Sequence, residues 1–366
     1  MTEVAHTADG VLARRHLRPA GWVAALARSP RASGGLGFVA ALGVALAGFG
    51  LVLLIQGRNP LATYAGLFGF TLGGAYGRSE VLVAMIPVLL CALAVGVPAR
   101  VGLVNVGAEG QLYMGAWGAS WVALSFSQLP AGLLLPLMLL AGLVGGGLWA
   151  LLPAVLRALG WLNETISTLL LNYVAILFVQ LFVFGPWKDP RSANFPQSRE
   201  FVPAAHLPTF GDTRVHVGLL LALLAVGVLV FVLRRTRWGY EMRAIGGNPE
   251  AARRAGIPLA TYLILALSIG GALAGLAGFG EVSAIQGRLR PTLSPGYGFL
   301  GFLVSWLAGH NPLTMVLMAL LLAVLTAGGD ALQLNEHLPF ASVNLLMALT
   351  LVVVLAQRSR PQGVER

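Results

Sequence analysis

Lysine is almost missing from this chain. Lys188 is the only one, so no GxxxxGK[ST] phosphate loop can be built and any ATP-driven work must be done by another polypeptide. Cysteine is as scarce: Cys91 stands alone inside an apolar run, which excludes an intrachain disulfide and reads as packing. Charge is short too. Only 10% of residues are charged and 57% are hydrophobic, whereas a soluble domain carries about 25% charged residues. That deficit defines a membrane protein. Neither an HExxH zinc pair nor a GxSxG nucleophile elbow occurs. His6, His16, His206, His216, His310 and His337 are scattered, with no pair at ligand spacing. No catalytic residue, metal site or cofactor is expected in this chain.

What is abundant is glycine, 47 residues of it, which suits helices packed backbone to backbone in a bilayer. The net charge of +10 sits in arginine blocks outside the apolar runs. Such blocks meet membrane lipid and set orientation; they do not make a nucleic-acid surface. About 20 apolar residues cross the hydrocarbon core. By that length, spans are expected near 36–56, 80–98, 103–127, 131–157, 162–185, 215–234, 259–281, 297–309, 312–327 and 340–356. The eighth is short and reads as tilted or re-entrant, and the glycine-rich stretch 60–76 reads as an external elbow. The fold expected is all-α: a polytopic helical bundle of about ten transmembrane helices, some broken or short.

Three domains of sequence follow. Residues 1–35 form a polar, arginine-bearing arm, interfacial near Trp22 and without a cleavable signal peptide. Residues 36–357 form the membrane domain, and 358–366 a basic tail. The loop 234–258 holds Arg234, Arg235, Arg237, Arg243, Arg253 and Arg254 against Glu241 and Glu250, whereas 186–214 is nearly balanced. The positive-inside rule therefore puts both termini and 235–258 in the cytoplasm and 186–214 outside.

Within the basic loop, GGNPEAARRAGIP encodes a helix of one to two turns. Asn248 is an N-cap, Pro249 suits the first helical position, and Glu250 complements the positive helix end. Ala251, Ala252 and Ala255 favour helix, Arg253 and Arg254 lie in its last turn, Gly256 can close it, and Pro258 stops it. By itself this is either a docking element or an interfacial connector.

NVGAEGQ at 105–111, NETISTLLLNY at 163–173 and the NPEAARRAGI loop, in that order, resemble the permease subunits of bacterial ABC importers. The branch that imports nucleosides is the nearer likeness, within a superfamily that also handles ribose and branched-chain amino acids. The resemblance runs from about Asn59 to Gln357. It implies a second, often non-identical permease subunit, cytoplasmic ABC ATPase subunits that bind ATP and magnesium, and an external substrate-binding lipoprotein. It implies also that Asn248 to Gly256 is the coupling helix seated in the ATPase. Gly247 departs from the family, which often has an acidic residue there.

Candidate path residues come from the polar positions within the spans. Asn105 and Glu109 share a helical face, and Gln111 joins them only if the backbone breaks at Gly107 or Gly110. Glu109 has two readings: it lines a polar cavity and orients substrate or a neighbouring helix, or it pairs with Arg100 near the cytoplasmic interface. The two are about 13 Å apart on a continuous helix, so pairing needs a turn between them. Glu164, Thr168 and Asn172 make one polar stripe, which lines a cavity or bonds another helix. Tyr113, Trp117, Phe279 and Tyr297 are candidates for stacking a flat base, as are Phe299 and Trp306. Glu281, Gln286, Asp330, Gln333, Arg288 and Arg290 are placed on the external rim. The expected activity is nucleoside import, of purine or broad specificity, with ribose or branched-chain amino acids as the alternative. A proton-coupled carrier using Glu109, Glu164 or Asp330 belongs to a different class.

Overall fold

The computed structural model describes residues 35–192, 195–336, 345–350 and 352–353. The N-terminal arm, the basic tail and most of the span expected at 340–356 lie outside them. The described residues include twelve α-helices: α1 Gly35–Ile55, α2 Pro60–Gly73, α3 Ala75–Ala99, α4 Ala108–Ser125, α5 Ala131–Ala158, α6 Glu164–Phe184, α7 Gly218–Arg235, α8 Arg237–Gly247, α9 Pro249–Arg254, α10 Leu259–Gly280, α11 Tyr297–Leu307 and α12 Pro312–Glu336, and 345–350 and 352–353 are helical as well. The last turn of α10 widens into a π-helical segment, Glu281–Gln286. Among the described residues, six helices are long and apolar enough to cross a membrane: α3, α5, α6, α7, α10 with its π extension, and α12. The protein is thus an all-α, multi-pass membrane protein. Of the other expected spans, α1 is apolar over Val39–Ile55, α11 is a shorter apolar helix, and α4 carries the polar NVGAEGQ end.

The stretch 60–76 is not an irregular elbow. Asn59 accepts hydrogen bonds from the N–H groups of Leu61 and Ala62 at 3.0 and 3.4 Å, and Pro60 opens α2. This is an ordinary helix start. The glycines that looked like interruptions are tolerated because Leu67 is wholly buried beside Gly328 of α12. The break falls instead at Gly74.

The core has two parts that share α10. Helix α3 is the central post, buried without interruption from Met85 to Pro98 and packed against α10, α11 and α12. Helices α4, α5 and α10 form the second group, and glycine sets their spacing. A Cβ on Gly275 would lie 2.1 Å from the carbonyl oxygen of Gly142, and one on Gly115 2.2 Å from the Gly275 Cα. No side chain fits there, so backbones touch directly, which is how bilayer helices associate closely. The segment 186–214 is held against the far end of α10: Ser198 N–H donates to Leu289 O at 2.9 Å and Phe201 N–H to Gly287 O at 2.8 Å. Arg288 pairs with Glu200 of that segment at 2.7 Å.

Candidate functional site

NVGAEGQ lies at a helix start. Helix α4 begins only at Ala108, so Asn105 and Gln111 do not follow helical spacing. The preceding turn folds back, and the two amides bond each other reciprocally, both at 3.0 Å. Asn105 also donates to Ala94 O of α3 at 3.1 Å and accepts from Gly107 N–H at 3.0 Å. The break at Gly107 is thus what brings Gln111 to Asn105.

The first four N–H groups of a helix have no partner within it. The polar stripe of α6 supplies acceptors for this segment. Glu164 accepts from Val104 N–H at 3.3 Å, Thr168 from Val106 N–H at 3.2 Å, and Asn172 from Gly110 N–H at 2.8 Å. Asn172 also donates to Val106 O at 2.9 Å, and Glu164 pairs with Arg157 at 3.0 Å. Successive turns of one helix thereby bond a loop and helix start some sixty residues earlier.

Glu109 is not paired with Arg100. Its carboxylate accepts from Gly298 N–H at 2.7 Å, in the first turn of α11, so it caps a neighbouring helix. Arg100 lies after the end of α3 and donates to His310 O. Burial, with Arg243 and Arg234 nearby, pulls that guanidinium below its ordinary range.

The aromatic candidates scatter. Trp117 packs with Phe178, Phe182 and Trp187, ring centres 5.3 to 5.8 Å away. Phe279 is buried against Gly142. Tyr113 donates to Pro291 O at 3.3 Å. Tyr297 does face open space.

That space is a cavity of about 580 Å3 between α2, α3, α11, α12 and the π segment, walled by Tyr76, Glu80, Glu281, Tyr297, Phe299 and Asp330. Glu281 and Asp330, which the sequence placed on the external rim, and Phe299, a candidate for stacking, come together here. Tyr76, Glu80 and Arg214 were missed. The available signal was the i, i+4 spacing of Tyr76 and Glu80, which puts a phenol and a carboxylate on one helix face. Arg214 pairs with Glu80 at 2.8 Å.

At the end carrying 234–258, α9 forms as encoded. Asn248 Oδ1 accepts from Ala251 N–H at 3.0 Å, and Gly256 adopts φ +80°, the left-handed closure that glycine permits. Ala252 is buried, while Arg253 and Arg254, paired with Glu250 at 3.0 and 3.2 Å, keep side chains 70% and 80% exposed. The sequence reading missed α8. It carries Glu241, which accepts from Arg237 Nε at 2.6 Å and from the Tyr262 hydroxyl. The Tyr262 bond and Arg237 hold that carboxyl below its usual range. Helices α8 and α9 enclose a groove of about 530 Å3 lined by Tyr240, Ala244, Asn248, Ala251 and Ala255.

The described residues thus form a glycine-packed bundle with interior polar junctions and a capped surface helix between two spans. The chain belongs to the family described as "Branched-chain amino acid transport system / permease component", whose profile matches residues 77–356. It is 40% identical over 324 residues to a glucose ABC transporter permease protein of Haloferax volcanii, covering 85% of this chain and 84% of that one. It is 33% identical to a nucleoside ABC transporter permease protein of Lactococcus lactis over 310 residues (81% and 84% of the two chains). It is 31% identical to a guanosine ABC transporter permease protein of Bacillus subtilis over 318 residues (84% and 89%).

Proposed function

We propose that this chain is the membrane permease subunit of an ABC importer that carries nucleosides across the bacterial cytoplasmic membrane. Separate ATPase subunits, binding ATP and magnesium, would supply the energy. A second permease subunit and an external lipoprotein that captures the solute would complete the assembly. Both termini and the 234–258 end face the cytoplasm, and 186–214 faces out.

The observation that carries the ATPase coupling is α9. Six residues do not hold a helix by propensity alone. This one has its own N-cap and glycine closure and anchors Ala252, yet leaves both arginines exposed beside a groove. Such an element suits docking of a rigid partner better than it suits a plain connector. Changing Arg253 and Arg254 together to Glu is expected to abolish uptake of labelled adenosine while the protein stays inserted. Normal uptake in that variant would sink the coupling reading.

A second substrate reading is favoured by the 40% identity to a glucose permease. Glucose and nucleosides share uncharged, hydroxyl-rich chemistry, so the two readings differ in the solute and not in the machine. Competition of adenosine uptake by guanosine, uridine, ribose, glucose and leucine separates them. The same uptake under ATP depletion, with the proton gradient clamped, separates an ATP-driven importer from a proton-coupled carrier.

A further inference from the structure

We infer that the cavity between α2, α3, α11, α12 and the π segment is a binding site for the transported solute. It takes an uncharged, hydroxyl-rich molecule with a flat ring and rejects its phosphorylated form. The inference rests on the import reading for the word transported; the site itself rests on the geometry.

Glu281 begins the π segment, an irregularity that tends to mark functional positions. It is 5% exposed, forms part of the cavity wall, and its carboxyl meets no hydrogen-bond donor among the described residues. Buried carboxyl groups are ordinarily satisfied, and this one lies on the cavity wall, where a donor on a ligand can reach it. Glu80 repeats the pattern on the opposite helix. One of its oxygens pairs with Arg214 at 2.8 Å, and the other is buried without a partner. Asp330 of α12 is a third carboxyl on the wall.

These groups accept hydrogen bonds, so they demand donors. They are spread around the cavity, and no three acidic, histidine or cysteine side chains converge as a metal site among the described residues. Hydroxyls at several points of one molecule fit that spread better than a single cation does. Tyr76, Tyr297 and Phe299 add aromatic surface for a flat ring. The volume lies within the range of small-molecule sites, roughly 300–1,000 Å3. A phosphate would face three carboxyls, and the one arginine among the lining residues is already engaged by Glu80. Discrimination against anions follows because a phosphate in this low-dielectric wall would lose its hydration with no free cation among the described lining residues to replace it.

The test is direct binding of tritiated adenosine, up to millimolar, to the whole transporter solubilised through a tag on this chain, with adenosine monophosphate, glucose and leucine as competitors. Saturable binding of adenosine or glucose is expected, with adenosine monophosphate at least about tenfold weaker than adenosine. Glu281→Leu and Tyr297→Ala should each weaken binding by about tenfold or more, the usual effect of losing a charge-assisted hydrogen bond or a stacking surface. Because Glu281→Leu alters a buried site, the near-isosteric pair Glu281→Gln with Asp330→Asn is the second probe. It should shrink the gap between adenosine and its monophosphate.

No saturable binding of adenosine or glucose, unchanged affinity in both single variants, or equal binding of the monophosphate would each overturn the site. Uptake measured in parallel keeps the two readings apart. ATP-dependent uptake that the variants leave intact removes the cavity site and keeps the importer. Variant-sensitive binding with uptake that ignores ATP keeps the site and removes the importer.

Discussion

Replacing Asn172 by Leu tests the junction between α6 and the start of α4 while keeping the same branched side-chain framework. The substitution deletes two bonds at once: Gly110 N–H to Asn172 Oδ1 at 2.8 Å, and Asn172 Nδ2 to Val106 O at 2.9 Å. Asn172 is 1% exposed, so no water replaces it. Each backbone group left buried and unpaired costs about 1–3 kcal/mol, an upper bound near 6. Interhelical bonds in bilayers average only about 0.6 kcal/mol, because the unfolded chain in the membrane finds other partners; two of them set a floor near 1. The Gly110 N–H belongs to the first turn of α4 and has no acceptor in its own helix, which lifts the cost above the floor. The expected loss is about 2–3 kcal/mol. Unfolding of the purified protein in mixed micelles of rising SDS fraction, followed by tryptophan fluorescence, measures it. Asn172→Asp keeps the acceptor for Gly110 and is expected to cost about half as much. A Leu variant within about 0.5 kcal/mol of the parent, or an Asp variant less stable than the Leu one, refutes the reasoning.

Gly275→Ala forces a methyl to within 2.1 Å of the Gly142 carbonyl. It should cost about 1–3 kcal/mol in the same assay, whereas Gly43→Ala in α1, where a Cβ meets nothing within 4 Å, should be neutral or stabilising by up to about 1 kcal/mol. His216 is buried and neutral, its Nδ1 accepting from Gly218 N–H at 3.1 Å, and burial pulls its pKa down to about 4 from 6.5. Above the unfolded value of 6.5 the group is neutral in both states and contributes nothing. As pH falls below it the unfolded chain takes the proton first, so stability drops by about 3 kcal/mol by pH 4; His216→Asn should remove that part of the acid sensitivity in unfolding curves. Asn248→Ala deletes the cap on α9, worth about 1 kcal/mol, and should lower uptake with unchanged membrane insertion, while Asn248→Ser restores it.

What the sequence determined by itself was local or compositional. Apolar length marked the membrane helices, since crossing a bilayer is a property of one segment. The helix at 249–254 was readable because cap, first proline and closing glycine are neighbours along the chain. The tertiary structure decided everything that joins distant residues. The stripe of Glu164, Thr168 and Asn172 was visible as a pattern, but its partners Val104, Val106 and Gly110 were not, since backbone N–H groups carry no sequence signature. Glu109 likewise found its partner at Gly298, 189 residues away, and not at nearby Arg100. Residues 60–73 looked broken because glycine weakens a helix in isolation; packing of Leu67 against Gly328 on α12 supplies what propensity withholds. The cavity carboxyls stand on helices far apart in the chain, and only the bundle brings Glu80, Glu281 and Asp330 around one space.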